Sequence, residues 1–147
     1  MTEIYSVAAG ELRELTDIKD DVFSKKMLGD GFGISTLDPS VYSPVSGKIS
    51  LVYETGYAIG IQCSDGVEIL IHIGLDTVEL AGTPFEVFVQ SGDVVDNQTA
   101  LVRVDWNLIT EQGYDKTIVV VSLDNQMVHQ IVHGSVQRGQ TIASVES

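Results

Sequence analysis

The chain has 147 residues, 44% of them apolar, with 14 glycines and one cysteine. That is enough for one domain with a substantial core and too ordered a composition for a disordered chain. With 21 acidic against 8 basic residues the formal net charge is −13. This argues against nucleic acid or an anionic membrane as partner, since both require basic surfaces, and it is compatible with docking to a basic protein patch.

The start, "MTEIYSVAAGELREL", carries charges where a leader would have an apolar core, and no segment approaches the roughly 18 apolar residues that span a bilayer. Together with the lone Cys63, this predicts a cytoplasmic protein that is not embedded in a membrane. In chain order, residues up to about 17 read as a peripheral arm on a single domain covering 1–147. A short helical candidate follows at Val22–Met27.

Strand-like runs then dominate: "KISLVY", "YAIGIQC", "VEILIHI", "ALVRVDW" and "KTIVVVSL" are rich in β-branched residues and tyrosine. Turn chemistry separates them at Ser43-Pro44, Ser46-Gly47, Ser64-Asp65-Gly66, Ala81-Gly82 and Ser91-Gly92-Asp93. A second helical candidate is Trp106–Glu111. One strand about every ten residues predicts an all-β fold, an antiparallel sandwich or barrel with short helical turns. A weak internal echo links "SGDVVDNQTALV" to "HGSVQRGQTIAS" and reads as repeated hairpin grammar. No lysine sits at a tight hairpin tip, so carrier chemistry of the biotinyl or lipoyl type is not indicated.

In "VEILIHI" strand alternation puts Glu68, Leu70 and His72 on one face, and Val67, Ile69, Ile71 and Ile73 on the other. A two-residue Asp65-Gly66 turn would set Ser64 against Val67 and Ile59 against His72. Tyr57 would then lie diagonal to His72 on the same face, within reach of a large side chain. A lone histidine in an apolar strand is most simply a satisfied core residue. The following Gly74-Leu75-Asp76-Thr77 argues for more, because it brings backbone amides, a carboxylate and a hydroxyl beside the ring.

"GVEILIHIGLDTVELAGTPF" closely resembles the active-site segment of the enzyme IIA component, glucose family, of the bacterial phosphoenolpyruvate-dependent sugar phosphotransferase system. "DDVFSKKMLGDGFGIS", "VYSPVSGKISLVYETGYAIGIQCSDG" and "VDWNLITEQGYDKTIVVVSL" are similar to other segments of that family, so the resemblance runs from about Ile18 onward. It implies an antiparallel β fold and a phosphohistidine carrier. Such a carrier accepts phosphoryl from the histidine phosphocarrier protein and passes it to the IIB and IIC components of a sugar permease. By position His72 is the phosphorylated nucleophile, and Thr55 and Asp76 orient the pocket. A neutral imidazole is a nucleophile at cytoplasmic pH.

The family's second histidine, in its "ETxHA" segment, is Tyr57 here. A phenol can donate a hydrogen bond to a phosphoryl oxygen but brings no positive charge. Tyr57 is thus either such a donor or a space-filling substitute, and onward transfer is the step at which this chain departs from its family. The resemblance also implies that Val22, Met27, Leu28 and Val78 form an apolar surface for the phosphocarrier protein. Asp20 and Asp76 would meet its arginines, with Glu79 on the same rim.

An alternative of another class is a regulatory binding protein that keeps the fold and docks regulated partners without relaying phosphoryl. No cofactor and no metal is expected. His129 and His133 are four apart, as on one face of a helix, but their segment reads at least equally as extended chain and no third ligand is near in sequence. "GDGFG" is not a nucleotide-binding glycine pattern. Cys63 is expected on the Tyr57 face near the turn, without a basic neighbour to activate it.

Overall fold

The structure, a computed structural model, describes residues 2–18, 25, 29–53, 56–74, 84–113, 116–123, 128–130 and 132–145. Its strands are β1 (Thr2–Tyr5), β2 (Gly10–Glu14), β3 (Asp30–Ser35), β4 (Ser40–Tyr42), β5 (Gly47–Val52), β6 (Ala58–Gln62) and β7 (Glu68–Ile73), then β8 (Phe85–Val87), β9 (Val94–Val95), β10 (Ala100–Val104), β11 (Thr117–Ser122), β12 (Val128–Gln130), β13 (Gly134–Val136) and β14 (Thr141–Val145). The one α-helix among the described residues, α1 (Trp106–Glu111), lies where its sequence predicts it. It starts there because the Asp105 carboxylate accepts from the Leu108 amide, capping the first turn. Of the other helical candidate, Val22–Met27, only Lys25 lies within the described residues.

All pairings are antiparallel. One sheet runs β13-β2-β3-β11-β7-β6-β5-β9, and two three-stranded sheets run β1-β14-β12 and β4-β10-β8. The main core joins residues of all three, with Ile4, Val41, Leu101 and Ile142 packed with Ile59, Ile69, Ile71, Ile73 and Ile118. A smaller cluster of Leu15, Ile18, Ala58, Leu70, Val119 and Val121 includes the alternate residues of β6, β7 and β11. These central strands are therefore covered on both faces, which explains the near-continuous apolar run of "TIVVVS".

The N-terminal residues are not a peripheral arm. β1 pairs with β14 and β2 with both β3 and β13, while Ile4, Val7, Ala8 and Leu12 are buried in the main core. The reason is visible locally, since Ile4 and Leu12 are the buried positions of strands whose other residues are exposed or half-buried.

The internal echo is likewise more than hairpin grammar. The strands that flank each echoed turn do not pair with each other. β9 and β13 join the large sheet at its two edges, whereas β10 and β14 are the middle strands of the two small sheets. The correspondence extends to hydrogen bonds. Tyr5 N–H donates to the Pro44 carbonyl at 2.8 Å, and Tyr42 N–H to the Val7 carbonyl at 2.9 Å. Ser6 N–H donates to Gln140 and Ser43 N–H to Thr99, at 2.8 and 3.0 Å. The Ser6 hydroxyl caps the Ala8 carbonyl as the Ser43 hydroxyl caps that of Val45.

In register, Gly10 faces Val136 as Gly47 faces Val95, and Glu11 faces Ser35 as Lys48 faces Gln62. The chain is thus two similar halves related by an approximate two-fold axis between β7 and β11, where Ile71 faces Val120. Ala58 faces His72 as Gly31 faces Val121, so the counterpart of His72 in the other half is a valine.

Candidate phosphoryl-transfer site

His72 lies on β7, with Ala58 of β6 on one side and Val119 of β11 on the other. Both neighbours are covered, and His72 itself is half-buried. The register differs by one residue from the sequence expectation: Ala58, not Ile59, faces His72. The loop at the hairpin tip explains the slip. It has three residues, Ser64, Asp65 and Gly66, closed by Cys63 N–H to the Val67 carbonyl at 2.8 Å and Gly66 N–H to Cys63 at 3.1 Å. Gly66 takes φ +90°, the left-handed conformation that a three-residue hairpin loop requires.

A slip of one residue would ordinarily send Tyr57 to the opposite face. Yet the Tyr57 and His72 rings meet edge to face, with centroids 5.2 Å apart and planes at 72°. The strand is broken at this point. Gly56 adopts φ +81°, and Tyr57 lies in the bend before β6, packed with Ala58 and Leu70 rather than with the main core. The expected contact forms, for a different reason from the one that predicted it. Cys63 follows regular alternation and joins the main core, so it is not on the Tyr57 face. Burial pushes its thiol up to about 11, with the Asp65 carboxylate adding to the shift. It is an unreactive core residue.

The bend is pinned on both sides. Ile73 N–H donates to the Tyr57 carbonyl at 2.7 Å, and Tyr53 N–H donates to the Ala58 carbonyl at 3.0 Å. Tyr53, which sequence reading passed over, stacks on Tyr57 with centroids 5.2 Å apart and planes 23° from parallel. The signal that could have found it is its place across a tight turn from Tyr57, in "YETGY". The Gly74 amide, first of the backbone amides expected beside the ring, donates to the Thr117 carbonyl at 2.8 Å and continues the sheet. Thr55, Asp76, Asp20, Val22, Met27, Leu28, Val78 and Glu79 lie outside the described residues. His129 and His133 are exposed; His129 is on β12 opposite Ser144, in the extended chain expected of that segment. Among the described residues no three metal-binding side chains cluster, and no helix is long and apolar enough to cross a membrane.

Residues 2–128 match the family described as phosphoenolpyruvate-dependent sugar phosphotransferase system, EIIA 1. The chain belongs to this family. The match includes the N-terminal strands, beyond the Ile18 limit of the sequence resemblance.

The glucose-specific EIIA component of Staphylococcus epidermidis is 38% identical over 95% of the chain and 86% of that protein. The glucose-specific EIICBA component of Streptococcus pneumoniae is 40% identical over 98% of the chain, which spans only 20% of that longer protein. The solved structure of glucose permease IIA from Mycoplasma capricolum superposes with a TM-score of 0.88 at 36% identity, over 96% of this chain and 93% of the other. The all-β antiparallel EIIA fold and a role as a phosphotransferase-system component in sugar transport follow from the family.

Proposed function

We propose that His72 is the phosphorylated residue of a cytoplasmic EIIA phosphocarrier, taking phosphoryl from the histidine phosphocarrier protein and passing it to permease components. The observation that carries this is the half-buried imidazole between two covered aliphatic residues, with one aromatic ring against it. Phosphoryl transfer has a loose transition state, so a carrier protein supplies placement and electrostatics rather than covalent help beyond the nucleophile. An imidazole in edge-to-face contact with Tyr57 and flanked by Ala58 and Val119 has few orientations to lose when the donor arrives. Thr55 and Asp76 complete the pocket in this reading, with Thr55 donating to the phosphoryl group.

Asp20, Val22, Met27, Leu28, Val78 and Glu79 form the docking rim, apolar at its centre and acidic at its edge. Such a rim suits a basic donor protein, and the net charge of −13 favours its approach. The kinship with glucose-specific EIIA components supports relay rather than binding alone, and points to a glucose-type permease as acceptor.

The test is to incubate the full chain with phosphoenolpyruvate, enzyme I and the phosphocarrier protein and weigh the intact product. One acid-labile phosphate is expected in the unaltered chain and in His129→Ala and His133→Ala, and none in His72→Ala. Phosphate retained by His72→Ala overturns the assignment.

A further inference from the structure

Tyr53 is the outermost of three rings that end on His72. It is 42% exposed, while Tyr57, stacked beneath it, is half-buried and meets the imidazole edge to face. The backbone places this stack. The Tyr53 carbonyl accepts from Gly56 N–H at 2.8 Å and its N–H donates to Ala58, so residue 53 closes the turn from which Tyr57 emerges. Val87 Cγ2 lies 2.5 Å from where a Cβ on Gly56 would stand, so the turn is packed from the other side too. The bond from Ile73 N–H fixes the main chain of Tyr57, but not its side-chain torsions. The Tyr57 ring packs against the cluster that includes Ala58 and Leu70, but it is only half-buried, and its outer part is left for another group to hold. The Tyr53 ring stacks there and narrows the orientations left to the phenol.

We propose that Tyr53 is a positioning residue: its ring holds the Tyr57 phenol against His72, and the rate at which phosphoryl leaves His72 depends on it through Tyr57. The inference rests on His72 being the phosphorylated residue. It requires the ring of Tyr53 and not its hydroxyl, because stacking is a property of the π-face. Aromatic pairs bias ring orientation by about two- to tenfold beyond simple packing, and the kinetic effect should be of that size.

The experiment uses the full chain, phosphorylated by the phosphocarrier protein, in single-turnover transfer to a glucose-type permease domain. Tyr53→Leu and Tyr53→Phe are compared, each alone and with Tyr57→Ala, and the His72 Hε1 resonance is followed by NMR. At a saturating concentration of permease domain, Tyr53→Leu should slow transfer about two- to tenfold and shift the His72 resonance. Tyr53→Phe should restore both, and in the Tyr57→Ala background Tyr53→Leu should change neither.

A loss that persists undiminished in the Tyr57→Ala background overturns the proposal. So does a loss seen only as a higher half-saturating concentration of permease domain, which would make Tyr53 a docking residue. A chain that takes no phosphate on His72 would instead overturn the site assignment, and would show itself before any transfer is measured.

Discussion

Position 57 is where the chemistry of this chain parts from that of the family it belongs to. A histidine there could meet the transferring phosphoryl group with a charged hydrogen bond, whereas the phenol of Tyr57 offers a neutral one. During arrival the donor protein contributes groups of its own, but departure depends more on what this chain supplies. Charge-assisted or acid–base help of this kind is typically worth ~10²–10⁴-fold. Tyr57→His is therefore expected to raise transfer to a glucose-type permease domain within that range, and to raise phosphorylation by the donor far less. Paired single-turnover kinetics of the two proteins check this. Equal rates of departure would mean that the phenol, in edge-to-face contact with the imidazole, already performs the histidine's task.

At the scale of elements, the site is made by two turns rather than by the strands they join. The loop Ser64–Gly66 sets the register that brings Ala58 opposite His72. The turn before β6 then breaks alternation and returns Tyr57 to the His72 face. Gly56 is indispensable to the second turn, because its φ of +81° disfavours any side chain and Val87 Cγ2 occupies the space one would need. Gly56→Ala should cost about 1–3 kcal/mol, read as a lower urea midpoint, and should weaken the Tyr57 ring-current effect on the His72 resonance. An unchanged midpoint would show that the turn can relax without strain.

The strands β5, β6, β7, β10 and β11 were legible in the sequence because β-branched residues and turn residues alternate so plainly in runs such as "KISLVY", "VEILIHI" and "KTIVVVSL". The helix Trp106–Glu111 was legible from its helical periodicity, and the structure adds the Asp105 cap that starts it. The loop conformation was not legible, since "SDG" serves a two-residue and a three-residue hairpin loop equally well.

Across the whole molecule, the approximate two-fold relation explains why the N-terminal residues are structural. β1 stands to β14 as β4 stands to β10, and Ile4 occupies in one half the place that Val41 occupies in the other. Both side chains are fully buried. Ile4→Ala should therefore destabilise the chain by about 2–5 kcal/mol, the cost of a cavity in a core that cannot collapse around it. Equilibrium unfolding in urea measures this; a shift below 1 kcal/mol would mean that the N-terminal strand is peripheral after all. The same relation sets a limit on function. The second half repeats the scaffold but carries Val121 at the place of His72, so one half holds the proposed nucleophile and the other supplies its flanking wall through Val119.

The sequence by itself determined the fold class and the positions of β5, β6, β7, β10 and β11, and it singled out His72 as the candidate nucleophile. The first two rest on apolar alternation and turn residues, a few positions at a time, and the third on the resemblance of the segment "GVEILIHIGLDTVELAGTPF" to the family. Tertiary structure alone decided which residues surround that histidine. Val119 reaches it from a strand distant in the chain, through a ladder whose register is set by long-range packing. The Gly74 amide was claimed by Thr117 for the same reason. Tyr53 joined the site because a left-handed glycine, pressed by Val87, folded its turn back on the sheet. Side-chain period is local, whereas the pairing partner of a strand is chosen by the burial of the whole molecule, and no short stretch of sequence carries that choice.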